Sequence, residues 1–169
     1  APRQTGRAAP APRPASPAGQ RLNAKYRFDT FAVGQSNTLA WRAAMAVASA
    51  PASTYNPLLL CGGVGVGKTH LLQAIGHEIA RLFPSQHVVY VTADAFTYEF
   101  VTALRERRTD AFRKRYRGAD VLLVDDLQFL AGKESTEEEF FLTFTAVQEA
   151  GKQIVCCSDR CPREMPLLP

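Results

Sequence analysis

Gly62-Gly63-Val64-Gly65-Val66-Gly67-Lys68-Thr69 fits the pattern G-x-x-x-x-G-K-[ST], with Gly62, Gly67, Lys68 and Thr69 in its four fixed places. Its flanks have the right form. Leu58 to Cys61 reads as a short buried strand, and Lys68 to Phe83 as a helix with Leu71, Leu72, Ala74, Ile75, Ile79 and Leu82 as its apolar positions. Strand, glycine turn and helix in that order make an anion site. The glycines let backbone N–H groups turn inward around phosphate oxygens, and the helix start adds the positive end of its dipole. Lys68 then reaches the β- and γ-phosphates of a nucleotide, and the Thr69 hydroxyl holds Mg²⁺.

The second half of such a site is expected on another strand. Asp120 to Asp126, DVLLVDD, is an apolar run ending in two carboxylates, the form of a Walker B strand. Asp125 is expected to hold the metal ion and Asp126 to orient or polarise the attacking water. A further short buried strand, Gln153 to Cys157, is followed by Ser158-Asp159-Arg160. If this strand neighbours the Walker B strand, a polar residue at its end lies beside the carboxylates. His87 to Thr92, HVVYVT, supplies a fourth strand.

Helices separate the strands. Asn37 to Ala50, capped by Ser36, carries Leu39, Ala43, Val47 and Ala50 on one face and stops at Pro51. Asp94 caps a helix to about Arg107 with Phe96, Phe100 and Leu104 inward, and Thr109 or Asp110 opens a shorter one with Phe112 and Tyr116. Ser135 to Glu138 reads as a capping box for a helix through Ala150, with Phe140, Phe141, Phe144 and Val147 toward the core and Gly151 as its stop. Alternation of strand and helix predicts a three-layer α/β/α fold around a parallel sheet with right-handed crossovers. The nucleotide belongs at the carboxyl ends of its strands. The strand between the two motifs points to the P-loop NTPases whose phosphate-loop and Walker B strands are separated in the sheet.

The net charge of +4 invites a nucleic-acid reading, but Arg3, Arg7, Arg13 and Arg21 account for all of it, and residues 22–169 carry 16 acidic and 16 basic side chains. Local patches must therefore carry any such argument. One exists between Arg105 and Arg117, where seven cations (Arg105, Arg107, Arg108, Arg113, Lys114, Arg115, Arg117) face only Glu106 and Asp110. It is either a solvated face or a contact for phosphates. Tyr26, Phe28 and Phe31 lie in an otherwise polar stretch, where they either pack on the domain edge or wall an adenine pocket.

Residues 1–21 hold five prolines, much alanine and no aromatic, too little apolar surface to offset the entropy of ordering. They read as a disordered linker ahead of a nucleotide-binding domain over residues 22–169. No run of 18 apolar residues marks a membrane span. Cys61, Cys156, Cys157 and Cys161 have no zinc spacing and read as reduced thiols of a cytoplasmic protein.

YRFDTFAVGQSN, YNPLLLCGGVGVGKTHLLQAIG, DVLLVDDLQFLAGKESTEEEFF and KQIVCCSDRCPREM together closely resemble the AAA+ domain of the DnaA family of bacterial replication initiators. The likeness runs from Leu22 to about Pro166. It implies ATP and Mg²⁺ as cofactors, with the nucleotide on Gly62, Gly63, Val64, Gly65, Val66, Gly67, Lys68, Thr69 and His70 and the adenine near Phe31 and Val33. The ion falls to Thr69 and Asp125, and the catalytic roles to Lys68, Asp126 and a sensor, Asp159. The helix pair from Asp94 to Arg117 matches the initiator-specific insert facing single-stranded DNA. Thr97, Lys133 and Thr136 fall on DNA-touching positions, with Arg113 and Arg115 as candidates beside them.

The function so implied is an ATP-switched initiator that assembles into a filament on the origin, opens the duplex and engages single strands. It hydrolyses ATP slowly. The alternative is a helicase loader or regulatory adaptor on the same fold. The family's arginine finger, helical lid and duplex-reading helix-turn-helix have no counterpart before Pro169, so the chain reads as a fragment, truncated before the lid and almost inactive alone. Helicase and regulatory proteins are further expected partners.

Overall fold

Strong β-formers in short runs, each followed by an amphipathic helix, build a doubly covered parallel sheet. In the computed structural model, residues 20–160 are described. The elements run α1 (Thr38–Ser49), β1 (Leu58–Cys61), α2 (Lys68–Leu82), β2 (Val88–Thr92), α3 (Ala93–Arg105), α4 (Thr109–Arg117) and β3 (Val121–Asp125). A 3₁₀ turn (Leu127–Leu130), α5 (Glu134–Glu149) and β4 (Gln153–Ser158) complete them. The linker expected over residues 1–21 lies outside the described residues up to residue 19, as do Cys161 and the end of the SDR-x-P stretch.

All pairings are parallel and the strand order is β1-β4-β3-β2. The phosphate-loop strand β1 and the Walker B strand β3 are thus held apart by β4. Register aligns Cys61 with Ser158 and Thr92 with Asp125, so the strands end along one edge and their following loops meet there.

Side-chain alternation on β3 assigns the two faces. Val121 and Leu123 join Leu72, Ile75 and Ile79 of α2 and Ala44, Val47 and Ala48 of α1. Leu122 and Val124 join Phe96, Phe112, Tyr116, Phe140 and Phe144 on the opposite side. There Phe96 meets Phe112, Tyr116 and Phe140 at centroid distances of 5.1, 5.0 and 5.6 Å, each edge-on, locking α3, α4 and α5 together. Gly76 lets α2 approach the sheet closely: a β-carbon there would lie 2.7 Å from Leu123 Cδ1 and 2.9 Å from Leu22 Cδ1.

Several local expectations give way to tertiary contacts. Ser36 caps nothing in α1; Asn37 is the N-cap residue, and its side chain instead binds Gly34 N–H and the Ala32 carbonyl. The buried face of α1 is Ala44, Val47 and Ala48, while Leu39 is 80 % exposed. The α3 cap is the Thr92 hydroxyl, which accepts from Ala95 N–H, because Asp94 lies inside the helix and pairs with Lys133. That helix ends at Arg105, ahead of the left-handed Arg107. Before α5 no Ser135 cap forms; Lys133 takes the cap position and Glu137 accepts from Gly132 N–H. Leu82, Leu104 and Phe141, expected inside, are exposed at the margins of their stripes. Cys61 is exposed, whereas Cys156 and Cys157 are buried, and burial pushes the Cys156 thiol up to about 12.

Candidate nucleotide and DNA site

The phosphate loop begins where β1 ends. Gly62 N–H donates to the Ser158 carbonyl at 3.3 Å, tying the loop to β4, and α2 starts at Lys68 directly after Gly67. Gly67 has φ +95°, and a β-carbon there would meet the Phe31 ring at 2.7 Å. Only glycine satisfies both the left-handed turn and that contact. Val64 and Val66 stand exposed on the outside of the loop.

Lys68 is nearly buried, and its ammonium donates to the Gly63 carbonyl at 2.7 Å and pairs with Asp159 Oδ1 at 2.6 Å. Asp159, at the end of β4, is therefore brought to the phosphate-loop lysine. Its backbone N–H donates to Gln128 Oε1 at 3.2 Å, and Gln128 Nε2 donates to Asp126 Oδ1 at 3.3 Å. Asp126 itself sits in the left-handed region, φ +55° and ψ +46°, an uncommon conformation for a non-glycine residue and one that recurs at functional sites. Gln128 thus fastens both acidic residues; its place two positions after Asp126 gave no hint of that bridge.

Asp125 continues the parity of Val121 and Leu123, so it points to the α2 face. It is only 2 % exposed. Burial raises its carboxyl pKa above the usual carboxylate range, opposed by hydrogen bonds from the Thr69 hydroxyl, Tyr90 and the Asp126 N–H. Thr69 and Asp125 are thus side by side, as a shared ion requires. The donor set fits Mg²⁺: two hard oxygens suffice for an ion that keeps several waters and takes further oxygens from phosphates. Among the described residues no group of three or more His, Cys, Asp or Glu makes a cage for another metal.

A groove of about 810 Å³ adjoins the loop, walled by Asn37, Ala40, Tyr55, Gly62, Val66 and Lys68 among others. Phe31 is not in its wall. It packs edge-on against His70, with centroids 5.2 Å apart, and Tyr26 lies 5.0 Å from the same imidazole. His70 Nε2 is 2.8 Å from the Arg27 carbonyl, so this histidine anchors the aromatic lead-in to the start of α2. Val33 is half exposed.

Thr97, Lys133 and Thr136 do come together. With Val101, Gly132 and Ser135 they line a concavity of about 420 Å³ between α3 and the start of α5. Lys133 pairs with Asp94 at 3.1 Å, Thr97 donates to the Ala93 carbonyl, and Thr136 is buried. Arg113 and Arg115 are not part of it. Arg113 binds Glu139 through three hydrogen bonds of 2.8 to 3.2 Å, joined by Arg117 at 3.0 Å. Arg115 pairs with Glu99 at 2.8 Å and lies 5.1 Å over the Tyr116 ring. Three of the seven cations of the basic run are therefore engaged by two carboxylates distant in sequence. Glu139 is 3 % exposed, and its place in an aromatic stripe was the signal that could have identified it.

The family described as the bacterial DnaA ATPase domain matches residues 22–169. A chromosomal replication initiator protein DnaA from Symbiobacterium thermophilum is 57 % identical over 147 residues, 87 % of this chain and 32 % of that protein. The chain thus spans about a third of the length of such relatives. Domain III of the Thermotoga maritima replication initiation protein DnaA superimposes with TM-score 0.84 at 44 % identity, covering 89 % of this chain and 62 % of that one. A replication initiator DnaA bound to AMPPCP and single-stranded DNA gives 0.82 at 41 % identity, covering 88 % and 46 %. The DnaC helicase loader shares the fold alone, with TM-score 0.70 at 19 % identity over 82 % of this chain and 81 % of that one.

Proposed function

The chain belongs to the bacterial DnaA ATPase-domain family, and we propose that it is the ATP-binding module of a replication initiator, a Mg²⁺-dependent switch in the full-length protein. The observation that carries this reading is the convergence of Lys68 with Asp159 and of Thr69 with Asp125 at one sheet edge, beside a groove of nucleotide size.

In this reading the backbone N–H groups from Gly62 to Thr69 receive the phosphates, Lys68 reaches the terminal ones, and His70 holds the aromatic segment in place. Val33, half exposed, lies toward the adenine, and Phe31 backs the loop at Gly67. Thr69 and Asp125 hold Mg²⁺, which when bound supplies neutralising charge to the phosphoryl oxygens. Asp126, fixed by Gln128, orients a water, and Asp159 responds to the terminal phosphate through its contact with Lys68. ATP binding orders the module so that subunits stack on the chromosomal origin, promote opening and grip single-stranded DNA through the Thr97, Lys133 and Thr136 concavity. Duplex origin sequence is read by a separate C-terminal domain.

Hydrolysis is slow and resets the switch. The isolated stretch turns over ATP barely at all, because an arginine finger from elsewhere is worth a factor of about 10³ to 10⁵. No helix among the described residues is long and apolar enough to cross a membrane.

The test is single-stranded DNA binding by the full-length protein in ATP against ADP at one stated salt concentration. Binding that needs ATP and disappears with Lys68→Ala is expected. Equal binding in both nucleotides overturns the switch.

A further inference from the structure

Behind Asp125 runs a chain of hydrogen bonds that the nucleotide chemistry does not itself require. The backbone N–H of Asn23 donates to Gln73 Oε1 at 2.6 Å. With its carbonyl oxygen so engaged, Gln73 has only its amide N–H groups to offer Tyr90, and their interaction with the hydroxyl partly offsets the rise that burial imposes on the phenol. Tyr90 in turn donates to Asp125 Oδ2 at 3.2 Å, while Asp125 Oδ1 accepts the Asp126 N–H at 3.0 Å. The links from Asn23 to Asp125 all donate toward the carboxylate, which sets the orientation of the Gln73 amide and of the Tyr90 hydroxyl. All three side-chain members are buried: Gln73 is 5 %, Tyr90 8 % and Asp125 2 % exposed. A polar chain in such surroundings is costly when broken and rigid when complete.

The far end is anchored as well. His77 Nε2 lies 2.8 Å from the Asn23 carbonyl, and Leu22 fills the space over Gly76. The segment preceding α1 is therefore bound on both sides of the Asn23 peptide and joined to the carboxylate.

We propose that Tyr90 and Gln73 are positioning residues for the metal-holding carboxylate, and that they couple its orientation to the docking of the Leu22–Asn23 segment on α2. This rests on the nucleotide and Mg²⁺ reading given above. Tyr90 fixes one carboxylate oxygen and the Asp126 N–H the other, so the carboxylate that would hold the ion is held in one orientation. Residues that hydrogen-bond a metal-holding side chain from behind in this way are typically worth about 10- to 100-fold in metal affinity.

The experiment measures binding of a fluorescent ATP analogue to the full-length protein across a Mg²⁺ titration and in EDTA, with thermal unfolding of the nucleotide-free protein alongside. Tyr90→Phe removes only the hydroxyl, and Gln73→Met removes both hydrogen bonds at similar volume. Both are expected to raise the Mg²⁺ concentration for half-maximal tightening by about tenfold while affinity in EDTA stays within about twofold. The double variant is expected to shift it no further than Tyr90→Phe alone, because the residues act in series. A half-point unchanged in Tyr90→Phe, with Asp125→Asn shifting it, overturns the positioning role, even if Tyr90→Phe lowers the unfolding temperature. A half-point unchanged in Asp125→Asn as well overturns the metal assignment itself and the relay with it.

Discussion

The Lys68 ammonium lies 2.6 Å from Asp159 Oδ1, so the cation of the phosphate loop is already paired with the residue at the end of a different strand. A phosphate must share or take over that cation. Replacing Asp159 by Asn keeps the shape and removes the competing charge. Nucleotide affinity is expected to hold or tighten, while turnover in the full-length protein falls about tenfold or more, because the Lys68 ammonium loses the charged partner that positions it; the Gln128 bridge, made through the Asp159 backbone N–H, stays intact. Equilibrium binding and single-turnover hydrolysis check this. A loss of affinity comparable to that of Lys68→Ala would show that Asp159 serves only to hold the loop.

Asp125 is a buried carboxylate whose pKa is raised chiefly by desolvation. Its ionised form is disfavoured on folding, so it imposes no penalty below the ordinary carboxylate pKa of about 3.9, and the penalty grows as pH rises through and above that value. Without Mg²⁺, Asp125→Asn is therefore expected to raise the unfolding temperature at pH 7, with the gain vanishing toward pH 3. Unfolding scans over pH in EDTA measure it, and equal shifts at both pH values would contradict the stated cause.

Glu139 joins α5 to α4 by accepting from both Arg113 and Arg117. Glu139→Ala leaves two cations without their partner. Loss of a buried pair costs about 3 to 5 kcal/mol, and the partial exposure of these arginines reduces the expectation to about 1 to 3 kcal/mol. Urea unfolding should register the loss, with most of it persisting at high salt because the carboxylate is buried.

The concavity of Thr97, Lys133 and Thr136 and the clamped Arg113 make opposite predictions for DNA. Lys133→Ala is expected to weaken single-stranded DNA binding and to lower the salt slope by about 0.7, the loss of one phosphate contact. Arg113→Ala is expected to cost stability and leave the slope unchanged. Binding isotherms at four salt concentrations separate the two, and a reduced slope in Arg113→Ala would restore that arginine as a DNA contact.

Much of this site was legible in the residues alone because its chemistry is local. The spacing from Gly62 to Thr69 specifies a turn and a helix start, and DVLLVDD carries its own burial pattern and its acidic end. Both motifs lie where they were expected. The basic run from Arg105 to Arg117 was open between two readings because charge counts ignore partners: Glu99 and Glu139 are 16 and 26 residues from the arginines they first meet. The capping errors at Ser36, Asp94 and Ser135 have a similar origin. Each has the right residue type, but the helix starts elsewhere or a neighbouring group accepts the N–H instead.

By itself, then, the sequence determined an α/β P-loop fold and the strands that carry its motifs, with Lys68 and Thr69 at a helix start and Asp125 and Asp126 at a strand end, because those depend on short-range periodicity and spacing. Only the tertiary structure decided that Lys68 pairs with Asp159, that Gln128 bridges two acids, that Tyr90 and Gln73 stand behind Asp125, and that Arg113 is engaged by Glu139. These depend on strand order and register, which set residues far apart in the chain within hydrogen-bond distance. Burial then makes each such contact too costly to leave unmade.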